Sequence, residues 1–111
     1  MVFPTNGEAR DYETVGTTTT AIGCTASKLV DDDTEGLKGL PCRAILVTIE
    51  TASLNICFDG TTPTTVASTN NGHTLIANQS ILITGWENVR NFLCINAVAS
   101  SGAVAKITYY Y

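Results

Sequence analysis

Charge is scarce in this sequence. Of 111 residues, 14% are Asp, Glu, Lys or Arg, against about 25% in an ordinary soluble domain. The six cationic side chains are dispersed, so the chain lacks the basic patch that direct nucleic-acid binding needs. No apolar run approaches the ~20 residues of a membrane-spanning helix, and no membrane partner is expected. The opening MVFPTNGEARDYE has neither the basic segment nor the apolar segment of a secretory leader. Synthesis in a cytoplasm is therefore expected, with reduced cysteines. Cys24, Cys42, Cys57 and Cys94 form no C-x-x-C pair, so zinc has no support. Cys42, Cys57 and Cys94 each fall in a strand beside apolar residues and read as buried free thiols acting as small hydrophobes. The one histidine, His73, has no nucleophile elbow or oxyanion motif beside it. Neither a Cys57–His73 pair nor a Ser–His pair is supported. The expectation is a protein that is not an enzyme and holds no cofactor or metal.

What is present is apolar and unevenly charged. Hydrophobic residues make up 44% and the mean hydropathy is +0.16, too high for a disordered chain. The length fits one domain. Residues 1–39 carry seven acids (Glu8, Asp11, Glu13, Asp31, Asp32, Asp33, Glu35) against three bases, while residues 40–111 balance three against three. A charge-poor body of this kind points to surface meant for burial against partners.

Taken in order, residues 1–11 read as an extended arm and 12–111 as one domain. Tyr12–Ile22 has the composition of an edge strand, weakened by Gly16. Ser27–Val30 is a short strand candidate, and Asp31–Pro41 a loop. Cys42–Glu50 is the strongest strand: Ile45, Val47 and Ile49 share one face, Ala44 and Leu46 the other. Apolar on both faces, it belongs in the middle of a sheet. Ser53–Phe58 alternates as a half-buried strand. Asp59-Gly60 opens a long polar loop that Asn71-Gly72 closes. Strands follow at His73–Ala77, Ser80–Thr84, Val89–Ala99 and Ala103–Tyr111, with a corner at Trp86-Glu87-Asn88. Seven or eight strands without a convincing helix predict an all-β fold, a single antiparallel β-sandwich of jelly-roll or Ig-like type.

Several residues invite a functional reading. Asp31, Asp32 and Asp33 with Glu35 supply clustered oxygens of the kind Ca²⁺ prefers, yet the spacing is not an EF-hand ladder; a solvated acidic loop is the plainer reading. The same acids have no flanking aromatics to suggest glycoside hydrolysis. Trp86 is either a plug at a sandwich corner or an exposed aromatic contact. At the end of the chain, alternation puts Tyr109 and Tyr111 on one face with Ile107 and Tyr110 on the other, so one tyrosine face lies outside the core. Tyrosine suits sites with one apolar and one wet end, such as a subunit interface or the cover of a sheet edge.

The stretch from Asp59 to Tyr111 resembles small virion proteins of tailed bacteriophages. The resemblance rests on Asp59-Gly60-Thr61 with Pro63-Thr64, then Gly72-His73-Thr74-Leu75, Ile81-Leu82-Ile83, Gly85 and Asn88-Val89-Arg90-Asn91-Phe92. It ends with the closing strand Lys106-Ile107-Thr108-Tyr109-Tyr110, and the earlier strand Arg43–Val47 also fits. Residues 1–40 carry none of it. It implies a structural part of a phage particle, with the virion as its location. The leading expectation is a capsid decoration (cement) protein, trimeric, bridging subunits of the major capsid protein. Its interface residues would be Asp31, Asp32, Asp33, Leu37, Leu40, Trp86, Tyr109, Tyr110 and Tyr111. A tail, neck or fibre-attachment component is the alternative within the virion; a carbohydrate-binding β-sandwich is the alternative outside it.

Overall fold

The computed structural model describes residues 9–18, 20–29, 41–65, 72–97 and 102–111. Eight strands run through them: β1 (Ala9–Gly16), β2 (Ile22–Gly23), β3 (Ala44–Glu50), β4 (Leu54–Cys57), β5 (His73–Leu75), β6 (Ser80–Thr84), β7 (Leu93–Asn96) and β8 (Val104–Tyr110). A short helix α1 (Trp86–Arg90) separates β6 from β7, and a 3-10 turn covers Ala26–Lys28. The strands form two sheets, in the orders β1-β8-β3-β6 and β2-β7-β4-β5.

That order follows a simple rule. β1 pairs with β8, β2 with β7, β3 with β6 and β4 with β5, all antiparallel. The chain is one long hairpin, with its tip between β4 and β5, wrapped into two layers. This is the jelly-roll, and it decides against the Ig-like alternative. Every strand outside the β4–β5 tip has a sequence-distant counterpart as neighbour, and β8 lies between β1 and β3, joined to both.

The core lies between the sheets. Ile45, Val47 and Ile49 of β3 face it with Ile107 and Tyr109 of β8, Leu54 and Ile56 of β4, and Cys94 of β7. β3 is central, as its two apolar faces predict. Among the described residues the buried polar side chains are Thr17, Asn55 and Asn96, and each makes hydrogen bonds. At the crossing from β1 to β2, the Thr17 hydroxyl lies within hydrogen-bond reach of Asn96 Oδ1 and of the Ala103 carbonyl, the latter at 2.9 Å. The Ala103 amide donates to the same Asn96 oxygen at 3.2 Å.

Four local readings differ from the structure. β1 begins at Ala9, inside the expected arm, and the strand expected to run to Ile22 breaks after Gly16, where the chain changes sheets. Where a strand was expected from Ser27 to Val30, a 3-10 turn covers Ala26–Lys28, and Val30 lies outside the described residues; four residues are too few for a period to declare itself. β4 is buried on both faces rather than one. Its outer face is roofed by the following loop: Asn55 Nδ2 donates to the Thr64 carbonyl at 2.7 Å, and Pro63 is fully buried. Finally, the corner at Trp86 is a five-residue helix, and Val89 and Arg90 belong to it rather than to β7. Gly85, at φ 93°, makes the entry that a side chain would strain, and Asn88 Nδ2 donates back to the Thr84 carbonyl at 2.9 Å.

Candidate interaction site

Strand alternation decides which side chains of β8 reach the surface. Ala105, Ile107, Tyr109 and Tyr111 point inward and are buried; Val104, Lys106, Thr108 and Tyr110 point outward. The register extends these outward positions into rows across the β1-β8-β3-β6 sheet. One row is Tyr12, Thr108, Leu46 and Leu82; the next is Thr14, Lys106, Thr48 and Ser80; the last is Gly16, Val104 and Glu50. All of these are exposed or half-buried, and Tyr12 is 69% exposed. The middle row is laced together: Lys106 Nζ donates to Thr14 Oγ1 at 3.2 Å, and Thr48 and Ser80 share a bond of 2.9 Å. Across these three rows there is one cation, Lys106, and one anion, Glu50. The result is a smooth four-strand face of aliphatic, tyrosyl and hydroxyl groups.

The inward tyrosines close one edge of the sandwich. Tyr109 Oη donates to Glu13, which also accepts from the Thr25 hydroxyl and, at 3.3 Å, from the Thr25 amide. Tyr111 Oη donates to the Lys28 carbonyl at 2.6 Å. Lys28 Nζ in turn meets Asp11 at 2.9 Å. That bond holds the Asp11 carboxyl below its ordinary value, while burial, then Glu13, pushes the Tyr109 phenol far above its own. Asp11 and Glu13 are thus inward-pointing acids on an edge strand, a device that discourages further strand addition there.

Two of the expected interface residues are therefore corrected: Tyr109 is 0% and Tyr111 5% exposed, and neither presents a surface to a partner. Tyr110 lies on the outer face. Trp86 is half-buried at the start of α1. Asp31, Asp32, Asp33, Leu37 and Leu40 fall outside the described residues. The residues that sequence reasoning missed are Tyr12, Leu46 and Leu82. Leu46 was within reach, because it sits opposite Ile45 and Val47 in a strand with two apolar faces.

The other chemistry is quiet. None of the four cysteines is in a disulfide, and burial pushes Cys24 up to about 11 and Cys94 to about 12. A half-open pocket of about 160 Å³ is lined by Cys57, Phe58, Asp59, Gly72 and His73, with the His73 and Phe58 rings stacked 6.1 Å apart. His73 aligns with inward Ile56, so Cys57, one residue on, belongs to the opposite face of β4. Among the described residues no group of three or more His, Cys, Asp or Glu is placed to hold a metal ion, and no helix is long and apolar enough to cross a membrane. Set against protein-family models, curated proteins and solved structures, the chain matches none.

Proposed function

We propose that this protein is a structural component of a tailed-phage virion, a capsid decoration protein that stabilises the head by bridging major capsid subunits. The observation that carries the reading is the outer face of the β1-β8-β3-β6 sheet, where three rows of side chains carry a single cation and a single anion. A face so poor in charge loses little solvation when covered, so burial there stabilises a contact rather than opposing it. The work such a protein performs is mechanical, and a closed two-layer sandwich is a rigid spacer for it. The motif-level resemblance of Asp59–Tyr111 to virion proteins points the same way.

The test is to count this chain in purified particles of the virus that encodes it, by quantitative mass spectrometry. Hundreds of copies per particle, lost together with head stability when the gene is deleted, is the expected result. A few to dozens of copies would move the protein to the tail or neck. Its absence from particles would overturn the reading.

A further inference from the structure

We infer that the outer face of the β1-β8-β3-β6 sheet is a self-association surface, on which a second copy of this chain packs face to face about a two-fold axis. The axis runs between β8 and β3, parallel to them. The inference rests on this face alone and does not require the virion reading; within that reading the second copy, not a capsid subunit, covers this face, and the bridging contacts fall to the rest of the surface.

The sheet order makes the face compatible with its own image. In β1-β8-β3-β6, rotation about the line between β8 and β3 lays β8 on the partner's β3 and β1 on the partner's β6. Row by row, Tyr12 then covers the partner's Leu82, and Thr108 covers the partner's Leu46, because all four residues lie in one row. The largest exposed side chain of the face meets an aliphatic one at the opposite edge. An isologous contact of this kind uses one patch twice.

The two charges fit the same operation. Lys106 aligns with Thr48, and Glu50 with Val104 two residues further on. They stand on neighbouring strands on either side of the axis, and neither is in an ion pair with any described residue. The rotation places the partner's Glu50 over Val104, two residues along the strand from Lys106 and within reach of its flexible stem. The reciprocal pair forms at the same time, so the only two charges in these rows neutralise each other twice across the contact.

The area suits a weak, reversible contact. Four strands about 4.8 Å apart and seven residues at about 3.3 Å each give a footprint of roughly 19 by 23 Å, or some ~440 Å² before side-chain relief. Counted on both partners, that is about 880 Å², below the ~1,200 Å² at which standard interfaces begin and in the range of weak, transient contacts. Sheets packed this way sit ~10 Å apart with strands within ~30° of parallel. The inference replaces the three-fold assembly expected from the resemblance with a two-fold one.

Sedimentation equilibrium of the full chain over a wide concentration range tests it. A monomer–dimer equilibrium is expected for the wild type. Leu46→Glu should give a monomer whose circular dichroism and urea unfolding midpoint stay near wild type, which separates lost association from lost folding. Lys106→Glu and Glu50→Lys should each weaken the dimer roughly tenfold, since each sets like charges together at two places. The double exchange, Lys106→Glu with Glu50→Lys, should restore it. A wild type that stays monomeric, a trimer, or a double exchange whose losses merely add would overturn the proposal.

Discussion

Tyr109 Oη donates its proton to the carboxylate of Glu13, a residue 96 positions earlier in the chain. The bond spans the β1·β8 pairing, where Tyr109 aligns with Asp11 and reaches two residues along to Glu13. It ties the first strand to the last through side chains as well as backbone. Tyr109→Phe keeps the packing and removes the donor. An expected loss of about 1–3 kcal/mol, read as a lower urea midpoint at unchanged slope, checks this; fluorescence of the single tryptophan, Trp86, reports the transition. No change would show that Thr25 satisfies Glu13 unaided.

The alkaline limit of stability follows from the same region. The Tyr109 phenol is raised by burial and by Glu13, and burial raises Cys24 to about 11 and Cys94 to about 12. At high pH the unfolded chain has released these protons while the folded chain still holds them. The unfolded state then binds fewer protons, so stability falls as pH rises. The loss begins near the ordinary thiol value of 9.0 and steepens above pH ~10, the ordinary phenol value. Urea midpoints from pH 7 to 11 measure it. In Tyr109→Phe the decline above pH ~10 should be shallower.

Acid acts through Asp11. The hydrogen bond from Lys28 lowers its carboxyl below the ordinary value of 3.8. A lowered folded value means stabilisation that is complete above 3.8 and lost as pH falls through the folded value. Both partners are 28% exposed, so the contribution is under about 1 kcal/mol. Asp11→Asn should lower the urea midpoint slightly at pH 7 and leave it unchanged at pH 2.

Gly72 and Gly16 make a contrasting pair. A Cβ on Gly72 would run into the Ile56 carbonyl oxygen and lie 2.6 Å from Cys57 Sγ, so β5 can approach β4 only without a side chain there. Gly72→Ala should cost roughly 2–4 kcal/mol. A Cβ on Gly16 meets nothing within 4 Å. Gly16→Ala should stay within about 0.5 kcal/mol of wild type, or stabilise slightly by restricting the unfolded chain. Thermal unfolding of both proteins side by side decides the matter.

How far the molecule was legible in its sequence depended on whether a residue's surroundings are local. β3 and β8 announced themselves through alternation, and the split of Tyr110 from Tyr109 and Tyr111 was visible for the same reason. Which side of that split faces inward was not, because it is set by the register of β8 against β1 and β3. β4 read as half-buried because Leu54 and Ile56 alternate with Ser53, Asn55 and Cys57; the cover of Asn55 is the loop at Pro63 and Thr64, which alternation within a strand does not register. α1 was missed because five residues complete little more than one turn, too few for a period of 3.6 to show. The interaction face went unnoticed because its rows join four strands far apart in sequence, and no window along the chain contains one.

The nested pairing also sets an order of events in time. β8 occupies the middle of a sheet, between β1 and β3, yet it is the last of the eight strands to be synthesised. Until it arrives, β1 has no partner and β3 has one open flank, so each offers unpaired amides and carbonyls to any passing chain. Closing a pair so distant in sequence is also slow, because the loop entropy is lost before the contacts form. The interval between making β3 and seating β8 is therefore when this chain is most exposed to aggregation, and a crowded ribosome cluster is the setting in which that exposure matters most.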